Sequence, residues 1–239
     1  MPKCLASWRV NIFGEDRSLP SFDVIPLARE FYLERPDAVA ARLLGKLLIR
    51  RLGEQFLAGR IVEVEAYFGI DDPAAHAFAG RTERNAVLYG PPGHAYVYFI
   101  YGMHYCLNVS CEPDGEAGCV LIRALEPVSG LTQMASLRNL PPDADPRLLT
   151  TGPGRLCQSL NITRAEHNGL DLTNAESPLY IAPDGFEVVE IAMSPRIGIR
   201  KAADRPLRFS LGGNRFVTRA PLPAKPSSSG RKQQHEQTK

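Results

Sequence analysis

Short apolar, β-branched and aromatic runs bounded by turn residues recur along the chain, the mark of strands, and only short stretches carry the wider spacing of helices. Residues 26–32 (PLAREFY) and 36–45 (PDAVAARLLG) predict short helices, with Pro26 and Pro36 suited to first turns and Gly45 to a stop. Strands are predicted at 46–51 and 56–68, joined by a hairpin at Gly53, and again at 95–101, 104–110, 118–125, 186–192, 197–199 and 207–211. Residues 71–78 (DDPAAHAF) predict a helix opened by Asp71 or Asp72 with Pro73 in its first turn, and residues 130–138 and 154–160 predict two more. Many strands joined by short turns, with few helices between them, predict a mixed α/β (α+β) domain with a mostly antiparallel sheet and helices packed around it. The domain is expected to span 21–219, between an irregular arm at 1–20 and a Pro/Ser-rich, basic, disordered tail at 220–239.

A length of 239 residues with 44% apolar composition suffices for one sizeable core. No apolar run reaches the roughly 18 residues of a spanning helix, and the first residues lack the apolar centre of a secretory signal. A soluble, intracellular protein without membrane contact is the expectation. Five cysteines, odd in number and without a CxxC pair, predict reduced thiols. Cys106, Cys111, Cys119 and His104 match no usual zinc spacing. The net charge of +2 hides an uneven distribution: from Arg196 to Arg219 seven basic residues face Asp204 alone. Such asymmetry fits a basic face toward a polyanion, and equally a solvated strand surface with a charged end.

The chain holds no GxxxxGK[ST], HExxH or GxSxG motif, and residues 151–160 (TGPGRLCQSL) read as a helix start rather than a phosphate loop. In 60–69 (RIVEVEAYFG) strand alternation puts Ile61, Glu63, Glu65 and Tyr67 on one face and Val62, Val64 and Ala66 on the core face. Two carboxylates about 6.5 Å apart along the strand suit either ordinary glutamates facing solvent or an acid/base pair for glycosidic-bond chemistry. Four of the eight tyrosines lie in 95–109 (AYVYFIYGMHYCLNV). Two strands meeting near 101–104 leave Tyr101 at a hairpin tip, with Gly102 in the turn. Such a ring either packs across the strands or wedges between stacked bases.

Taken in order, RIVEVEAYFGIDDPAAHA, GRTERNAV, GPPGHAYVYFIYGMHYCLNV, CVLIRALEP and TGPGRLCQSLNI closely resemble the 3-methyladenine (alkyladenine or methylpurine) DNA glycosylase family, from about Ile25 to Ser210. The resemblance implies a single domain with a curved antiparallel sheet and a protruding hairpin, acting as a monomer on duplex DNA without metal or other cofactor. It implies that a damaged purine is flipped out of the duplex and its N-glycosidic bond hydrolysed, leaving an abasic site in an uncut strand. The lesions implied are 3-methyladenine and 7-methylguanine, with hypoxanthine or ethenoadenine as further candidates. Glu65 matches the catalytic glutamate, a general base toward water, and Arg123 an arginine that helps order that water. Tyr67, His76 and Tyr98 match pocket walls, and Asn108 a residue that crowds the guanine amine. Tyr101 matches the intercalating tyrosine, and Met103 follows it at the duplex surface. Glu63 is expected to make structural hydrogen bonds, and Tyr96 and Tyr105 to pack in the sheet or core. The rival from another class is a lesion-binding protein of the same fold that does not hydrolyse.

Overall fold

A computed structural model describes residues 25–219; the predicted arm at 1–20, the predicted tail at 220–239 and Cys4 lie outside the described residues. The spine is a 14-residue strand, β2 (Gln55–Phe68), which turns back on β1 (Leu47–Leu52) through Gly53. The tyrosine-rich segment forms the hairpin β3 (Ala95–Ile100) and β4 (His104–Cys111), followed by β5 (Gly118–Ser129). Two short strands come late, β6 (Leu179–Ala182) and β7 (Ile191–Ser194), and β8 (Arg208–Leu211) closes the series. The sheet runs β3-β4-β5-β2-β1-β6; β8 joins β2 where β1 leaves it, and β7 pairs with β8, every pairing antiparallel.

Where the partner of β2 changes, the ladder with β5 slips twice. Ile61 pairs with Leu125 and Glu63 with Ala124, leaving Val62 extra; Val64 then pairs with Ile122, leaving Arg123 extra. Paired irregularities of this kind bend strands and re-aim side chains. They correct the simple alternation: Ile61 and Val62 both enter the main core, so Ile61 does not share a face with Glu63.

Beyond the bulges the two faces are distinct. One carries Val64 and Ala66, Val97, Leu107 and Val109, Val120 and Ile122, with Phe209 and Leu211, all in one apolar cluster. Helices α1 (Pro36–Leu43), α2 (Leu131–Leu137), α3 (Arg147–Thr150) and α4 (Pro153–Ser159) cover it with Val39, Leu43, Met134, Leu149 and Leu156, among others. The opposite face holds Glu63, Glu65 and Tyr67, Tyr96 and Tyr98, Cys106 and Asn108, Cys119 and Arg123. Both carboxylates of β2 thus lie on the face that these four helices leave free. Cys106, Cys111, Cys119 and Cys157 are buried free thiols.

The predicted helix at 71–78 does not form. Gly69–Asp71 makes a short 3-10 turn, and successive three-residue turns then run from Asp72 to Gly80. Asp72 does cap, accepting from the amides of Phe68 and Ala74, but its carboxylate is also fixed by Arg196, which holds the loop down. The 26–32 helix is a 3-10 turn, Arg29–Tyr32. Residues 186–190 and 197–199 are irregular, so the predicted strands there reduce to β7. Four elements were not anticipated: β6, α3, α5 (Arg164–His167) and a 3-10 turn at Ala86–Tyr89, each four residues long and too short to show a period.

Glycine 154 explains the phosphate-loop look-alike. A Cβ there would lie 2.9 Å from Cγ of His104, so the glycine lets α4 seat against β4. Leu107, fully buried beneath that helix, is a direct test of the packing. Leu107→Ala is expected to cost about 2–5 kcal/mol in chemical denaturation, from lost apolar contact plus the cavity.

Candidate active site

Both glutamates of β2 are fully buried, which overturns the solvent-facing reading of this strand. Glu65 accepts three contacts. The Ile197 amide donates to Oε1 at 2.7 Å, Arg123 Nη1 lies 3.2 Å from the same oxygen, and the Tyr67 hydroxyl donates to Oε2 at 2.8 Å. Burial pushes the Glu65 carboxyl above its ordinary range, with Glu63 adding repulsion, while Arg123, the Ile197 amide and Tyr67 pull the other way. A carboxylate raised in proton affinity and faced by preset donors is suited to accept a proton from water.

Glu63 has a different surrounding. Its Oε1 accepts from Arg123 Nε at 3.1 Å and Arg208 Nη1 at 3.0 Å, and its Oε2 from the Thr218 amide at 2.6 Å. Arg123 therefore bridges the two glutamates, and their charges raise its pKa even though burial opposes them. The bulge that frees Arg123 from a ladder partner is what lets its guanidinium reach both.

Next to Glu65 stands an aromatic group. His76 meets the Tyr98 ring edge-on at 4.4 Å between centroids, and its Nδ1 lies 2.9 Å from the Tyr96 hydroxyl. Tyr67 and Tyr98 pack against one apolar cluster that includes Tyr96, Ala77, Leu88 and Cys119. Burial, reinforced by Arg84, lowers the pKa of His76 and keeps its imidazole neutral at pH 7. Burial also pushes the Tyr67 and Tyr98 hydroxyls far up, and Tyr96 up to about 12, so these rings stay neutral. Asn108 Nδ2 donates to the Tyr96 carbonyl at 3.1 Å, fixing its amide beneath the rings. Clefts of about 470 and 420 Å³ open elsewhere, beside Arg35, Asp37, Pro206 and Leu207, and neither borders Glu65.

The hairpin tip is the other anomaly. Tyr101 is 75% exposed and Met103 69% exposed, with Phe99 half-exposed behind them. Tyr101 and Gly102 have φ of 56° and 69°, and the Met103 amide closes the turn onto the Ile100 carbonyl. For a bulky non-glycine residue this left-handed conformation costs roughly 1–2 kcal/mol. An exposed ring on a strained turn gains little inside its own domain, and the cross-strand packing falls to Phe99 and Tyr105, whose ring centroids are 4.9 Å apart.

Nearly all of this arrangement lies within residues 30–215, which match the family model described as methylpurine-DNA glycosylase (MPG). The chain belongs to the methylpurine-DNA glycosylase family. A protein of Koribacter versatilis (strain Ellin345) is 56% identical over 193 residues, covering 81% of this chain and 93% of its own. One from Burkholderia cenocepacia (strain HI2424) is 50% identical (80% and 90% covered), and one from Alkaliphilus oremlandii (strain OhILAs) 45% identical (81% and 98%). All three bear the name "Putative 3-methyladenine DNA glycosylase".

In this glycosylase-family chain the residues singled out in the sequence fall into two places. Glu65, Arg123, Tyr67, His76, Tyr98 and Asn108 share one sheet face and the loop beside it, while Tyr101 and Met103 stand at the tip of the same hairpin that carries Tyr98. Sequence reasoning missed Ile197, whose backbone amide carries no side-chain signal, and Tyr96, which was expected only to pack but also holds His76. It also misread part of the basic stretch: Arg196 and Arg208 are buried, bound to Asp72 and Glu63, so only Arg200, Lys201, Arg205, Arg215 and Arg219 are exposed to a polyanion. No group of three or more His, Cys, Asp or Glu among the described residues is arranged to hold a metal, and no helix among them is long and apolar enough to cross a membrane.

The unequal surroundings of the two glutamates give a stability test. Glu63→Gln leaves Arg208 and Arg123 short of a buried counter-charge and is expected to cost about 3–5 kcal/mol in chemical denaturation. Glu65→Gln, removing a charge whose ionisation burial already disfavours, is expected to cost less than about 1 kcal/mol or to stabilise.

Proposed function

We propose that this protein is a monofunctional DNA glycosylase that rotates an alkylated purine out of duplex DNA and hydrolyses its N-glycosidic bond. The observation that carries the reading is Glu65, buried and held by Ile197, Arg123 and Tyr67 at the edge of an aromatic group. Its carboxylate takes a proton from a water molecule as the water oxygen bonds to C1′ of the sugar. The C1′–N bond breaks, and its electron pair leaves with the purine. Arg123, fixed by Glu63, orders that water beside Glu65. The names of the relatives support 3-methyladenine as one substrate.

A 3-methyladenine or 7-methylguanine base carries positive charge, so it leaves without prior protonation and is drawn to tyrosine faces by cation–π attraction. Hypoxanthine and ethenoadenine are neutral and require an acid, so their release is expected to be slower. His76 and Tyr98 are too close for a base to slide between them, since stacking on both faces needs a gap of about 7 Å. The base is therefore placed against Tyr67, with His76 opposite and Tyr98 as a side wall. Asn108, locked by the Tyr96 carbonyl, narrows the space where the amine of an unmodified guanine would sit. Tyr101 fills the gap left in the duplex, Met103 rests on its surface, and the exposed basic residues contact phosphates as the protein binds as a monomer.

The test is base release from methylated duplex DNA by wild type, Glu65→Gln and Tyr101→Ala, with chelator present. Wild type is expected to release 3-methyladenine or 7-methylguanine and leave strands intact until alkali. Glu65→Gln is expected to bind but release nothing, and Tyr101→Ala to capture lesions at least about tenfold less well while keeping its fold. Normal turnover by Glu65→Gln would refute the base assignment, and strand cutting before alkali would refute monofunctional chemistry.

A further inference from the structure

Two loops flank Glu65, the one after β2 that carries His76 and the one before β8 that carries Ile197, and a buried ion pair joins them. Arg196 reaches Asp72 with both terminal nitrogens, one bond measuring 2.8 Å, and its Nη1 also donates to the Ala66 carbonyl at 3.0 Å. The side chains of Arg196 and Asp72 have no exposed surface. The guanidinium lies 4.5 Å from the centroid of the Tyr67 ring. Arg205 adds a weaker tie, Nη1 to the Asp71 carbonyl at 3.3 Å.

We propose that Arg196, clasped by Asp72, is a positioning residue for the reaction: it fixes Tyr67 with one ring face turned to the base, and it fixes the Ile197 amide on Glu65. The inference rests on the reading given under Proposed function. The geometry supports it twice. Because Arg196 is buried and occupies one face of Tyr67, only the opposite face is open to a base. Because Ile197 follows Arg196 directly, anchoring the guanidinium to β2 through Ala66 sets where the next amide points. That amide makes the 2.7 Å bond to Glu65 Oε1. The groups facing Glu65 are Glu63 and Tyr67 from β2, Cys106 from β4, Arg123 from β5 and Arg196 from the loop. Releasing the clasp alters the contacts made by Arg196 itself, by Tyr67 and by the Ile197 amide, and leaves Glu63, Cys106 and Arg123 in place.

A merely structural ion pair is replaceable by neutral side chains of similar shape with little consequence. The double variant Asp72→Asn/Arg196→Met makes that replacement, and Arg196→Lys keeps the charge while losing the planar fork. Single-turnover release of 7-methylguanine is measured against pH for both variants and wild type, with melting temperature and lesion-duplex binding alongside. Loss of a backbone donor favours the protonated carboxyl. The acid limb of the double variant is expected to move up by about one pH unit, and its plateau rate to fall about tenfold, with binding within about twofold of wild type. Arg196→Lys is expected to move the same way by less, and it carries the test alone if the double variant does not fold. A wild type that releases base while the folded variants keep its acid limb and plateau overturns the clasp, as does full restoration by lysine. A wild type that releases no base overturns the reading on which the clasp rests.

Discussion

One guanidinium, that of Arg123, holds the centre of this molecule together. It lies between two carboxylates that are wholly buried, and burying an unpaired carboxylate costs several kcal/mol. With Arg208 and the Thr218 amide completing Glu63, and Tyr67 and the Ile197 amide completing Glu65, each carboxylate oxygen has a donor. The network also draws the last described residues of the domain onto β2, so the chain closes over its site through charge as much as through apolar packing.

That centre depends in turn on a defect in the sheet. A regular ladder between β2 and β5 would pair Arg123 with a fixed neighbour and keep Ile61 on the glutamate face. The paired bulges move Ile61 into the core and free Arg123 to span Glu63 and Glu65. The same region is where β1 gives way to β8, which brings Arg208 opposite Glu65 and Ser210 opposite Glu63. Curvature, exchange of strand partner and site geometry are one structural event. Apart from this centre lies the Tyr101–Gly102 turn, where an exposed ring stands on a left-handed backbone at the end of a well-paired hairpin.

Much of this was legible in the sequence. Apolar, β-branched and aromatic runs bounded by turn residues located β1 to β5 and β8 within a few residues. The order of the five motifs pointed to the family, and the resemblance implied Glu65 rather than Glu63 as the base. Alternation failed at Ile61 because a bulge has no composition signature. The helix expected at 71–78 failed because a tertiary partner, Arg196, fixes Asp72 in a looped conformation, outweighing Pro73 and a good cap. The charge run from Arg196 to Arg219 misled for a related reason: two of its arginines belong to buried pairs whose partners, Asp72 and Glu63, lie more than a hundred residues earlier. Ile197 was beyond sequence reading altogether, since any residue type other than proline supplies its amide.

The most direct measurement is the pH dependence of single-turnover 7-methylguanine release by the wild-type protein, with enzyme in excess over the duplex DNA and at saturating concentration. A base must be ionised to act, so the rate should fall about tenfold per unit below the pKa of Glu65 and level off above it. Burial places that limb above the ordinary glutamate value of 4.5. A limb at or below that value, or a rate that does not fall in acid, would contradict the role of Glu65 as the buried general base.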